Sequence, residues 1–246
     1  MDRMIFLAMT GARENMHAQA GVSHNLANAN TVGFKASLQH AQTLDVVGPG
    51  HPARAFSMGL DRLADLTPGA LQTTGRELDV ALEGEGWIAV QAPDGGAAYT
   101  RAGDLRVDSL GRLTNGAGHP VMGEGGPIAL PPFEKIEIGG DGTVTIQPLG
   151  QPSNALAQVE RIRLVNPDPA TLRRGEDGLV RTADGALAPG DAGVKLRTGA
   201  LETSNVNTVA ALVDMIQLSR QFEMQVKMMS AAEDNDRASA QLLRMS

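Results

Sequence analysis

Apolar residues recur at helical spacing at both ends of the chain and at strand spacing between them. Near the start, Ile5, Met9, Ala12, Met16, Ala20, Ser23 and Ala27 follow one another at intervals of three or four, with Leu26 beside the stripe. That spacing predicts a helix over about residues 2–28. Arg13, Glu14, Gln19 and His24 mark its polar side. Asn28, Asn30 and Gly33 are expected to end it, because Asn tolerates the left-handed backbone that closes helices and Gly adopts it at no steric cost. Helical spacing returns from Asn207. Val209, Leu212, Val213, Ile216, Leu218, Phe222, Val226 and Met229 line one slowly rotating face, closed by Leu242 and Leu243. At 1.5 Å per residue this segment spans roughly 55 Å. Asn207 is its expected N-cap, with Ser204 or Asn205 as alternatives.

Between the helices the period changes to two. WIAVQ (87–91), AYTRAG (98–103), LRVDS (105–109), KIEIGG (135–140), TVTIQ (143–147) and VERIRLV (159–165) alternate apolar with polar. PDGG, DSLGR, GGDG and EDG separate them and have turn chemistry. Short strands with no helix between them predict a mainly antiparallel β domain. Residues 36–75 read as a connector, broken by GPGHP at 48–52 and TPG at 67–69, with a short helical turn expected at Leu60, Leu63 and Leu66. The predicted organisation is an N-terminal helical part over 1–35, the connector over 36–75, the β domain over 76–199 and a C-terminal helical part over 200–246.

Each terminal helix alone exposes a long apolar seam, which is costly in water unless covered. The nearest covers are the other helix and the same helices of neighbouring copies. Two tails on a β domain would need no such seam.

Composition narrows the function by exclusion. The 246 residues carry a net charge of −7 and only one Trp, one Tyr and five Phe. Nucleic acid and anionic membrane surfaces are therefore disfavoured as partners. There is no cysteine, which removes disulfides and thiolate metal sites. The opening MDRMIFLAMTGARENM does not read as a secretory signal, since Thr10 and Gly11 interrupt its apolar run and Arg13 and Glu14 follow. His17, His24, His40, His51 and His119 lack metal-ligand spacing, and no GxSxG elbow is present. Glu83 and Glu85 in LEGEGW could form a carboxylate pair of glycosidase type. They stand in a glycine-rich turn of a chain nearly bare of sugar-stacking aromatics. No catalytic, cofactor or metal residue and no small-molecule substrate is expected.

NLANANTVGFKAS at 25–37 resembles the N-terminal signature of bacterial flagellar rod and hook proteins, the axial family, with His24 where a second Asn is usual. LETSNVNTVAALVDMIQLSRQFE at 201–223 resembles the C-terminal signature, and LDVALEGEGWIAVQAPDGGAAYTRAGDLRVDSLGRL at 78–113 resembles the family's β core. The MDRMIFLAM opening, the region near 229–235 and the LLRMS ending are most similar to proximal-rod members.

The resemblance implies a non-enzymatic subunit of the basal-body rod, crossing the periplasm and exported by the flagellar apparatus without a cleaved signal. The terminal helices would pair as a discontinuous coiled-coil domain around a mainly β centre. The implied partners are the chain itself, proximal and distal rod proteins and the export apparatus. The implied role is to transmit torque from motor to hook and to wall the export channel. The assembly residues expected on this basis are Ile5, Met9, Met16, Leu26, Asn28, Asn30, Gly33, Phe34, Asn205, Asn207, Val209, Leu212, Val213, Ile216, Phe222 and Val226. Two alternatives stay open: another axial subunit such as the distal rod protein, and a periplasmic peptidoglycan-cleaving protein using Glu83 and Glu85.

Overall fold

A computed structural model describes residues 2–38, 41–45, 55–59, 63–152, 155–175 and 177–244. The chain forms two units. One gathers Met1–Ala27, Ser37–Leu63 and Asn207–Ser246, and the other gathers Asn28–Ala36 and Ala64–Val206. Strands thus occupy the middle of the sequence and a helix stands at each end.

In the helical unit, helix α1 spans Asp2–Ala27 and helix α2 spans Thr208–Arg244. The two pack against each other. They run antiparallel: Ala18, Val22 and Asn25 of α1 share a hollow with Asp214, Leu218 and Gln221 of α2, while Gly11 meets Gln225 further out. Asn207 caps α2, its Oδ1 accepting from the Val209 and Ala210 amides at 3.1 Å, which satisfies two donors that the first turn leaves open.

The end of α1 differs from expectation. Neither Asn28 nor Asn30 is left-handed; only Gly33 is, at φ +66°. Asn28 instead closes a turn, its carbonyl accepting from the Thr31 amide at 3.1 Å and its Oδ1 from the Thr31 hydroxyl at 3.2 Å.

The segment read as a connector holds a hairpin, Ala41–Asp45 against Ala55–Gly59. Leu63 lies in a two-residue strand and Leu66 in no regular element, so the short helix expected there is absent among the described residues. Leu60 and the GPGHP stretch lie outside them.

The second unit is antiparallel throughout its registered strand pairs. Its largest sheet has five strands in the order Leu164–Val165, Trp87–Gln91, Ala97–Thr100, Val180–Thr182 and Leu172–Arg174. A three-stranded sheet joins Phe133–Ile138, Thr143–Pro148 and Ala157–Arg161. Val80–Glu83 pairs with Lys195–Thr198, and Leu71–Thr73 with Ala200–Glu202.

WIAVQ is covered on both faces. Ile88 and Val90 enter the main core with Leu105, Leu113, Val121, Val144, Ile146 and Ile162. Trp87 and Ala89 enter a second cluster with Tyr99, Val165, Leu172 and Val180. Each large buried side chain contributes about 1.5–3 kcal/mol. The predicted VERIRLV strand is split, because Ile162 forms an isolated bridge to Gly123 between Ala157–Arg161 and Leu164–Val165.

Turn aspartates fasten the hairpins. The Arg112 amide holds the Asp108 carboxyl below the usual aspartate range, and the Thr143 hydroxyl does the same for Asp141. Arg181 lowers Asp177, and the Ala186 amide lowers Asp184. Carboxylates depressed in the folded state contribute stability that is full above their unfolded pKa of about 3.9 and is lost as pH falls through the folded values. The thermal midpoint should therefore drop as pH falls below about 4. The quadruple Asp→Asn variant at 108, 141, 177 and 184 should flatten that limb; an unchanged acid limb would contradict the assignment.

Candidate functional site

Burial sorts each terminal helix into two rows. On α1 the less exposed positions Ile5, Ala8, Ala12, Asn15, Gln19, Val22 and Leu26 alternate at three and four. On α2 the row is Ala211, Met215, Leu218, Phe222, Gln225, Met229, Ala232 and Asp236, with the same alternation. Its fully buried members are all alanine: Ala8, Ala12, Ala211 and Ala232. Small residues let helix axes approach closely, and Gly11 adds a notch against which Gln225 rests.

The large apolar side chains stand mostly outside that row. Met9 is 51% exposed and Met16 59%, with Phe6 and Leu7 beside them; Val209 is 70% exposed and Ile216 55%, with Leu212, Val213 and Val226 also open. The single stripe read from the sequence therefore divides. Ile5, Leu26 and Phe222 belong to the inner row, whereas Met9, Met16, Val209, Leu212, Val213, Ile216 and Val226 form outer apolar strips. Hydrophobicity alone misses this division, because the close seam selects small side chains and leaves the bulky ones outward. The signal that finds it is the placing of small residues, Ala8 and Ala12 one turn apart and Ala211 and Ala232 three heptads apart, on one face of each helix.

The asparagine-rich stretches divide too. Asn30 is exposed and Asn28 half-buried, while Gly33 and Phe34 are buried in the second unit. There residues 28–36 run beside residues 202–206. The Gly33 amide donates to the Glu202 carbonyl at 2.8 Å, and the Asn205 amide to the Phe34 carbonyl at 3.4 Å. Asn205 links three segments through its side chain, accepting from the Ala36 amide at 2.7 Å and donating to the Asp65 carbonyl at 2.9 Å and the Thr67 carbonyl at 3.2 Å. Arg174 lies 4.4 Å above the Phe34 ring.

Beneath this junction sits a charged cluster that the sequence reading did not single out. Glu202 is 1% exposed. Its Oε1 accepts from the Lys35 ammonium at 2.6 Å and the Gly69 amide at 2.8 Å, and its Oε2 from Arg101 at 3.1 Å. Two cations share one carboxylate, so carbonyls take the remaining donors. Lys35 reaches Thr67 O at 2.7 Å; Arg101 reaches Gly86 O at 3.1 Å and Gly84 O at 2.9 Å. Arg101 also stacks over Trp87 at 5.3 Å. Burial pushes the Lys35 ammonium below the ordinary lysine range, and Glu202 pulls it back up.

Glu83 and Glu85 are exposed, on either side of a glycine whose carbonyl serves Arg101. Among the described residues no group of His, Cys, Asp and Glu could hold a metal ion, and no helix is long and apolar enough to cross a membrane. The terminal helices thus combine a packed inner row with outer apolar strips.

Comparison with known proteins finds two stretches that match family models. Residues 81–146 match the D1 domain family of the flagellar hook protein FlgE/F/G. Residues 197–242 match the C-terminal family of the flagellar basal body rod FlgEFG proteins. The flagellar basal-body rod protein FlgF of Escherichia coli K12 is 43% identical over the full length of both chains. FlgF of Caulobacter vibrioides is 30% identical over 99% of this chain and 98% of its own. The rod protein FlgG of Bacillus subtilis is 30% identical over 95% and 96%.

Proposed function

The chain belongs to the flagellar basal-body rod protein family, and we propose that it serves there as a structural subunit of the proximal rod. Its role is mechanical rather than catalytic: copies and neighbouring rod proteins stack along an axis, transmit torque from motor to hook and wall the export channel. The 43% identity to FlgF of Escherichia coli over the full length of both chains supports the proximal position. Delivery by the flagellar export apparatus and assembly across the periplasm follow from that place.

The observation that carries this reading is the pair of rows on each terminal helix. The inner three-four rows fit a left-handed coiled coil between α1 and α2. The outer strips remain for other subunits, and head-to-tail contacts of that kind extend rather than close. Methionines at Met9 and Met16 suit a surface that meets more than one kind of neighbour.

The test uses Leu212→Asp with Ile216→Asp, both outer residues, introduced into a deletion strain. The expected result is loss of motility with assembly halted at the rod, while the purified variant keeps the wild-type near-ultraviolet dichroism. Each side chain forfeits about 1.5–3 kcal/mol of burial in the assembled state and adds a buried charge. Motility at the wild-type level would overturn the packing role.

A further inference from the structure

The seam between α1 and α2 holds three amides, Asn15, Gln19 and Gln225, in rows otherwise weighted toward apolar side chains. Asn15 follows Ala12 in the inner row of α1, and Gln225 stands between Phe222 and Met229 in that of α2. Each keeps a buried atom with no hydrogen-bond partner among the described residues: Asn15 Nδ2, a donor, and Gln225 Oε1, an acceptor. The two unmet needs are complementary. They are also close along the seam. A Cβ on Gly11 would stand 2.6 Å from Gln225 Nε2, and Asn15 is about one turn, ~5.4 Å, further along α1.

We propose that Gly11, Asn15 and Gln225 form a polar notch that fixes the antiparallel register of α1 on α2. The inference rests on the paired-helix reading above. The alanines at Ala8, Ala12, Ala211 and Ala232 are alike in size, so these layers add little distinction between registers one heptad apart. A polar residue at a core position supplies the distinction, because it is tolerated only opposite its polar mate. A slip of one heptad that carries Gln225 toward Ile5 separates Asn15 and Gln225 by about 10 Å and sets each against an apolar side chain, Gln225 against Ile5 and Asn15 against Met215. The same slip would displace the outer strip of one helix against the other, so register decides whether a neighbour finds a continuous surface.

Engineered thiols read the register directly, since the chain contains no cysteine. In the full-length protein, Ala8→Cys with Met229→Cys reports the native register, one turn outward from Gly11 and Gln225. Ala8→Cys with Phe222→Cys reports the register slipped by one heptad toward Ile5. With Asn15 and Gln225 intact, oxidation should link only the native pair. With Asn15→Leu and Gln225→Leu, the slipped link should rise about tenfold, with helical dichroism retained. The exchange Asn15→Gln with Gln225→Asn keeps donor and acceptor and should restore the native link alone. A double Leu variant that still links only the native pair would overturn the proposal. Failure of both pairs to link with the amides intact would overturn the helix pairing itself, and the inference with it.

Discussion

Glu202→Ala should lower the thermal midpoint of the full chain by on the order of 10 °C, a loss of about 3–5 kcal/mol. The cost arises from what remains rather than from what is removed. Lys35 and Arg101 are each 3% exposed at the side chain and both point at the Glu202 carboxylate. Without it, two cations stay buried beside carbonyls that only partly compensate them. The Gly69 amide also loses its acceptor. Against a total stability of about 5–15 kcal/mol this is a large share. Glu137→Ala is the contrasting control: it breaks an equally short 2.6 Å contact, to Lys135, but both partners are about half exposed. Solvent and salt already screen that pair, so its midpoint should not move measurably. Equal effects from the two variants would show that burial is not what makes the Glu202 cluster important.

That cluster was hidden in the sequence for a physical reason. Lys35, Arg101 and Glu202 lie far apart along the chain, each within a stretch where a charge reads as the solvent face of a strand or turn. Only the tertiary fold brings Gly33–Lys35 alongside Glu202–Asn205. By contrast, the features set by neighbours in sequence were legible. Asn207 caps α2 where the helical spacing begins, and TVTIQ forms a strand because Val144 and Ile146 alternate into the core. The terminal helices lie between these cases. Their existence was plain from spacing, but the contact face was not. Met9 and Ile216 are the more hydrophobic choices, yet Ala8 and Ala211 are what closely approaching helices can bury. VERIRLV failed differently: alternation continued through Ile162 and Arg163, whereas pairing did not, because the partner strand changes at that point.

Gly33→Ala should cost about 4 kcal/mol or more, and comparison with Gly75→Ala separates that cost from ordinary glycine strain. Both glycines are left-handed, at φ +66° and +74°, so both substitutions carry the conformational cost of about 1–2 kcal/mol for an L residue in that region. They differ in surroundings. A Cβ on Gly75 meets nothing within 4 Å, whereas one on Gly33 would lie 2.2 Å from the Arg101 carbonyl carbon and 2.3 Å from the Ala102 nitrogen. Those atoms are backbone and cannot swing aside as a side-chain end would. Relief requires moving residues 28–36 away from Arg101, which stretches the Gly33 amide from the Glu202 carbonyl and loosens the ion pairs below. Gly33→Ala and Glu202→Ala should therefore combine to less than the sum of their separate losses, since the first already disturbs what the second removes. Denaturant titration of the two single variants and the double variant measures this coupling. If Gly33→Ala proves no more costly than Gly75→Ala, the close approach to Arg101 does not govern the junction, and simple additivity would separate the backbone turn from the charged cluster beneath it.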